Sequence, residues 1–528
     1  MFACFHKLES THCLANKAIS SAEMRLYMNE KYEKLVPHLN KMMALETALT
    51  LLQWDTETLA PVEALENTAK AVGLISSEYF DAMVNDDIKN LLHELSKPEN
   101  FDVLEFKEQK IVKKLNKQLK EMECIPPEEY KAYSELTAKS SAIWAAAKEK
   151  NCFADYAPTL EEIVSYNKKF ASYRNDENKA LYDILLDDFE EGIDMKQLDE
   201  FFAKLRTAIV PLLKQVVTKN DSIDKSYNSL SYDIDKQKEL CKFIAEYIGF
   251  DFKRGVIAES EHPFTTNLHN KDVRITTHYY KNNLESSIFS TIHEGGHAIY
   301  EMNIDDSLTQ TPVGHGSSMG VHESQSRFFE NIIGRDKDFW TPLWDKLTST
   351  FPEQLKNVSL DQFILSINKA EPDFIRTEAD ELTYSLHIMI RYEIEKLLIS
   401  GQIEVSDLPR IWNEKYEEYL GIVPPTDTLG VLQDVHWSHG TFGYFPSYAL
   451  GNAIASQIYA FIQTKIDFSK CLREGNLKPI VDLLKEHIHK YGATKNTNEL
   501  LLEMTGESFN ADYYVDYLID KYTKLYQL

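Results

Sequence analysis

Two histidines four residues apart, with a glutamate directly after the first, stand in the stretch STIHEGGHAIYE, residues 290–301. On a helix turning about 100° per residue, His293 and His297 share one face and Glu294 lies about 60° around from His297. Two imidazoles stacked one turn apart can bind one Zn²⁺, and the carboxylate beside them can act as base toward a metal-activated water. Alone, the pattern is only moderately specific, because two surface histidines on a helix would read the same way. The two glycines between them call for a reason, since each costs about 1 kcal/mol relative to alanine in a helix interior. On the wheel Gly296 flanks the histidine face, where a bare backbone leaves room for whatever approaches the metal. Gly295 points to the back, where another backbone can pack closely.

Such a site needs a third protein ligand and one open position. Downstream lies GSSMGVHESQSRFFENIIG, in which Glu323 follows His297 after 25 intervening residues. Ser317 or Ser318 can cap a helix running to about Ile333 and ended by Gly334, and Glu323 projects from it. With Glu323 the set becomes the His₂Glu arrangement of catalytic zinc. His322 is a rival ligand, but it points about 100° away on the same wheel. Glu301, one turn beyond His297, is either an outer partner of a ligand histidine or a solvated charge.

The elements that must position these residues are mainly helices. LYMNEKYEKLVPHLNKMMALETALTLLQWD, FDVLEFKEQKIVKKLNKQLKEM and LDEFFAKLRTAIVPLLKQVV carry apolar residues at three- and four-residue spacing. CIPPEEYKAY predicts a loop and then a helix start, with proline in the first turn. The best strand candidate is DVRITTHYY, where Val273, Ile275 and Thr277 alternate with Arg274, Thr276 and His278. No internal repeat or low-complexity linker divides the 528 residues. The expected fold is all-α, with a small strand element near the active site. Residues 1–25 form an N-terminal extension expected to be disordered, and residues 26–528 a single domain. A formal charge of −26 repels phosphate backbones and anionic membranes, so neither nucleic acid nor membrane is an expected partner. Six cysteines without a CxxC pair argue against a disulfide framework and fit a reducing, cytoplasmic location.

HEGGH followed by HESQSR resembles the carboxypeptidase Taq family of metallocarboxypeptidases. Further segments match that family in order: HPFT (262–265), DVRIT with Asp272, Arg274 and Thr276, IRTEAD with Arg376, Ala379 and Asp380, and GVLQDVHW with Gln433, Asp434, His436 and Trp437. The resemblance runs from about residue 26 to the C-terminus. It implies a deep-groove helical peptidase that removes C-terminal amino acids with broad specificity. It also implies one Zn²⁺ (Co²⁺ possible) on His293, His297 and Glu323, Glu294 as general base and acid, and a homodimer. A substrate's free C-terminal carboxylate calls for a guanidinium, whose planar fork binds both oxygens. Arg376 and Arg274 are the candidates, and either can instead be the structural partner of Asp380 or Asp272. His436 is the expected donor to the reaction's oxyanion, with Tyr444 and Tyr448 as phenol donors beside it. An endopeptidase with the same metal chemistry and a peptide-binding scaffold without catalysis are the alternatives.

Overall fold

The computed structural model describes residues 21–175 and 178–528. Of the expected N-terminal extension, residues 1–20 lie outside the described residues. Residues 21–25 already belong to the first long helix, Ser21–Thr58. The periodic stretches form the helices they predict: Phe106–Glu123, Met195–Val217, and Pro127–Lys150 with proline at its start. One three-stranded sheet interrupts the helices, ordered β1–β3–β2, with β1 Gly255–Glu259, β2 Thr265–His269 and β3 Asp272–Thr277. β3 runs parallel to β1 and antiparallel to β2.

The HEGGH segment lies within helix Leu284–Met302, opened by Asn283, whose side chain accepts from Ser286 N. This helix is buried on almost every side, which is where an apolar run interrupted by a few functional side chains belongs. Val273 and Ile275 of β3 pack under it against Ala298 and Met302. Because strand side chains alternate, Arg274 falls on the opposite face of the sheet. There it meets Trp54 of the first helix, its guanidinium 5.6 Å from the ring centroid.

The N-terminal helices build a core of their own, with Leu35, Ile88, Leu92 and Ile111 among its buried members. Ile304, Leu308 and Val313 join it from the loop after the HEGGH helix. The remaining helices share one large core, within which Met319–Arg327 packs closely against Phe445–Gln463. Met319–Arg327 is capped by Ser318, as its sequence suggests, and continues as a π-helical turn over Phe328–Ile333. The widened turn closes with Gly334 N donating to Phe329 O at 2.8 Å. Such turns are rare and recur at functional sites.

Candidate active site

His293, His297 and Glu323 converge, with one ligand atom from each lying within 4.8 Å of the others. Glu323 Oε2 stands 3.8 Å from His293 Nε2 and 3.6 Å from His297 Nε2. The glycines decide how near the two helices come. A Cβ on Gly296 would stand 2.7 Å from Gln325 O and 2.8 Å from Ser326 Cα, so the Glu323 helix rests backbone-to-backbone on this residue. Gly295 faces only the side-chain tip of Ile248. The close backbone packing expected at Gly295 is found at Gly296 instead, and Gly295 faces a side chain. Gly451, on the Phe445–Gln463 helix, presses on Glu323 itself, where a Cβ would strike Cγ. Glycines on two helices thus let the Glu323 helix be approached backbone-close at Gln325–Ser326 and at Glu323 itself.

Each ligand candidate is oriented from behind. Arg327 Nε donates to Glu323 Oε1 at 2.7 Å, leaving Oε2 turned to the histidines. Burial alone would raise the Glu323 carboxyl, but Arg327 and then His293 outweigh it and hold the group well below the usual carboxylate range. His293 Nδ1 lies 2.8 Å from Glu330 Oε2, a carboxylate also bound by Arg327 at 3.1 Å and Arg335 at 3.0 Å. Behind His297 stands His322, Nδ1 to Nδ1 at 2.6 Å, and behind His322 stands Glu301 at 2.7 Å. His322 is thus no rival ligand, and Glu301 reaches the site through it. Burial pushes His297 down to about 3, so its ring is neutral, the form a metal requires. Sequence reasoning missed Glu330. Its signal was the seven-residue spacing from Glu323, two turns along one face.

Glu294 is buried and accepts from Thr265 Oγ1 at 2.6 Å, so the first residue of β2 fixes the carboxylate's direction. Burial raises its pKa, partly offset by His293 and Thr265. A cavity of about 1020 Å³ opens over this centre, walled by His293, Glu294, Glu323, Arg376, Tyr384 and Tyr448 among others.

Arg376 is 6% exposed. Its Nε donates to Asp434 at 2.9 Å and Nη1 to Tyr384 at 3.2 Å, while Nη2 has no partner among the described residues. Asp434 is itself held by Arg391 Nε at 2.7 Å, and Gln433 accepts from the Arg376 backbone at 2.9 Å. QDVHW therefore braces the guanidinium from behind. Arg274, by contrast, is bound through Nε and Nη2 to Asp272 at 2.9 and 2.8 Å on the outer face of the sheet, away from the cavity wall. Arg274, the alternative substrate anchor, is thus paired with Asp272 and is not among the cavity-lining residues. Among the expected donors, Tyr448 reaches the wall, while Tyr444 and His436 stand behind it. His436 Nε2 lies 3.2 Å from Tyr448 OH, and its ring stacks on Tyr444 at 5.7 Å. Burial, with Arg376 close by, brings His436 down to about 4 and keeps it neutral.

This constellation has counterparts in known proteins. The model of the carboxypeptidase Taq (M32) metallopeptidases matches residues 34–522. The chain belongs to the carboxypeptidase Taq family. It is 43% identical to carboxypeptidase 1 of Bacillus subtilis over 507 residues, covering 96% of this chain and 100% of that protein. Thermostable carboxypeptidase 1 of Pyrococcus furiosus is 35% identical over 504 residues, 94% of this chain and 99% of its own length. The solved M32 carboxypeptidase of Deinococcus radiodurans superposes with a TM-score of 0.91 at 31% identity, covering 94% of this chain and 100% of that one. A peptide hydrolase of the metallocarboxypeptidase class is therefore established, together with its helical fold and small sheet. A divalent metal is implied by the family, and the convergent His–His–Glu set with every non-ligating partner atom already engaged fits one.

Proposed function

We propose that the chain removes single residues from the C-terminus of peptides with broad specificity. Its Zn²⁺ would be held by His293, His297 and Glu323. The observation that carries this reading is one cavity with both a metal-ligand cluster and a braced guanidinium on its wall. When bound, the ion supplies Lewis-acid polarisation of a carbonyl and acidifies water. Glu294 takes the proton of the attacking water and returns it to the leaving amine, and the raised basicity of a buried carboxylate suits both halves of that transfer. Thr265 keeps the carboxylate aimed while its proton load changes.

Arg376 receives the substrate's terminal carboxylate on its open Nη2 side, with Asp434 and Tyr384 preventing the guanidinium from turning away. Holding that terminus sets the last peptide bond over the centre. Tyr448, whose phenol burial keeps protonated, donates to the oxygen on which charge develops, and His436 supports it from behind. Tyr444 contributes by stacking on His436 and packing edge-on against Tyr448. Four unpaired cysteines, Cys124, Cys152, Cys241 and Cys471, support a reducing, cytoplasmic setting, and the family resemblance supports a homodimer. Among the described residues no helix is long and apolar enough to cross a membrane.

The test is digestion of matched peptides with free and amidated C-termini by the metal-loaded protein, read by mass spectrometry. A ladder of products shortened one residue at a time from the free terminus is expected. Internal cleavage of both peptides alike would replace this reading by an endopeptidase.

A further inference from the structure

The two ligand histidines are backed differently. Glu330, a carboxylate, faces His293, whereas an imidazole, His322, faces His297. Two imidazole nitrogens 2.6 Å apart must hold one proton between them, and which ring carries it decides whether His297 can bind a metal through Nε2.

The surroundings settle the proton's place. Glu301 Oε1 accepts from Gly316 N at 2.8 Å, and Oε2 accepts from Asn267 Nδ2, so both of its oxygens already act as acceptors. His322 Nε2, 2.7 Å from Oε1, must then be the donor. For His297 Nε2 to be a ligand its proton must sit on Nδ1, so of the two facing nitrogens His297 Nδ1–H donates and His322 Nδ1 accepts, with His322 Nε2–H turned to Glu301. His297 in turn is left with a bare Nε2, the atom 3.6 Å from Glu323 Oε2 in the ligand cluster. The pocket around His322 is built to hold this pose. Its ring lies against His297 at 4.5 Å and Tyr300 at 5.4 Å, and a Cβ on Gly316 would strike His322 Cδ2 at 2.5 Å.

We propose that His322 is a positioning residue that, oriented by Glu301, locks His297 in its Nδ1–H tautomer and so presets Nε2 as a metal ligand. The proposal rests on the ligand assignment above, and its test separates the two. Metal affinity is measured by chelator competition with Zn²⁺, and the ligand field by the visible spectrum with Co²⁺, for the full chain and its variants. His322→Phe keeps a ring but offers no acceptor. It should weaken metal binding by about 10–100-fold, the usual effect of removing a ligand's outer partner, and shift the Co²⁺ spectrum. His322→Asn returns an acceptor near the Nδ1 position and should recover most of that loss, a rescue that mere packing would not produce. Two-bond ¹H–¹⁵N spectra of histidine-labelled wild-type protein read the tautomers without any substitution. They should show His297 protonated at Nδ1 and His322 at Nε2. Wild-type affinity in His322→Phe, or His297 protonated at Nε2 in the metal-free wild type, would overturn the proposal. Failure of the wild type to bind stoichiometric metal would instead overturn the ligand assignment.

Discussion

Alanine at Gly296 should disturb the metal centre, while alanine at its neighbour Gly295 should be nearly silent. A Cβ at position 296 would stand 2.7 Å from Gln325 O, and ordinary contact begins at 3.4 Å, so 3.4 − 2.7 gives about 0.7 Å by which the Glu323 helix must retreat. Retreat also presses the Glu323 side chain on Gly451, which already lies against it. Overpacking of this kind costs about 1–3 kcal/mol, offset by about 1 kcal/mol of helix propensity gained over glycine. The net destabilisation is therefore about 0–2 kcal/mol. A displacement of about 0.7 Å also exceeds the roughly 0.2 Å that a metal–ligand bond tolerates, so metal affinity should fall by at least about tenfold. At position 295 the obstacle is Ile248 Cδ1 at 2.5 Å, the end of a flexible side chain. A rotamer change clears it, and the propensity gain of about 1 kcal/mol remains. Chemical denaturation of the metal-free proteins gives the stabilities, and competition with a chelator gives the affinities. If Gly296→Ala bound metal as tightly as Gly295→Ala and the wild type, close helix approach would not be what seats Glu323.

Glu294→Gln should retain stoichiometric metal by elemental analysis yet lose about two to four orders of magnitude in kcat, the scale of a positioned acid–base group. Full turnover in that variant would remove Glu294 from the chemistry. Arg376→Ala should raise KM, lower kcat and narrow the preference for free over amidated peptides; an unchanged preference places the anchor elsewhere. Stability should also carry a pH signature from Glu190, which is fully buried with Oε1 accepting from Gly320 N and Oε2 unpartnered. Burial raises this carboxyl from the ordinary 4.5 to about 7. A raised folded-state pKa means the protonated form is favoured by folding. Its contribution is therefore full below about 4.5 and lost as pH rises through about 7. Glu190→Gln should flatten the fall in melting temperature across that window, and parallel curves for variant and wild type would refute the assignment.

Local spacing was enough to place His293, Glu294 and His297 on one helix, because four residues make about one turn wherever the chain goes. Alternation also located the strand, expected over 272–280 and ending at Thr277, though Thr276 on its polar side is buried as well, and the Ser318 cap is legible because its bond to Val321 N is local. Charge and the ordered motifs pointed to a peptidase rather than a nucleic-acid or membrane protein. What spacing cannot carry is contact between distant segments. The family resemblance of its motif favoured Arg376 over Arg274, but spacing did not separate them; the pairing of β3, which turns Arg274 toward Trp54, and the packing of Asp434 behind Arg376 do. Tyr448 rather than Tyr444 meets the cavity because of how the Phe445–Gln463 helix docks, not because of its residue type. The outer partners Glu330 and His322 emerge only when two helices are brought within backbone contact at Gly296. That closeness was invisible in the motif, since a glycine's missing side chain does not say which neighbour occupies its place.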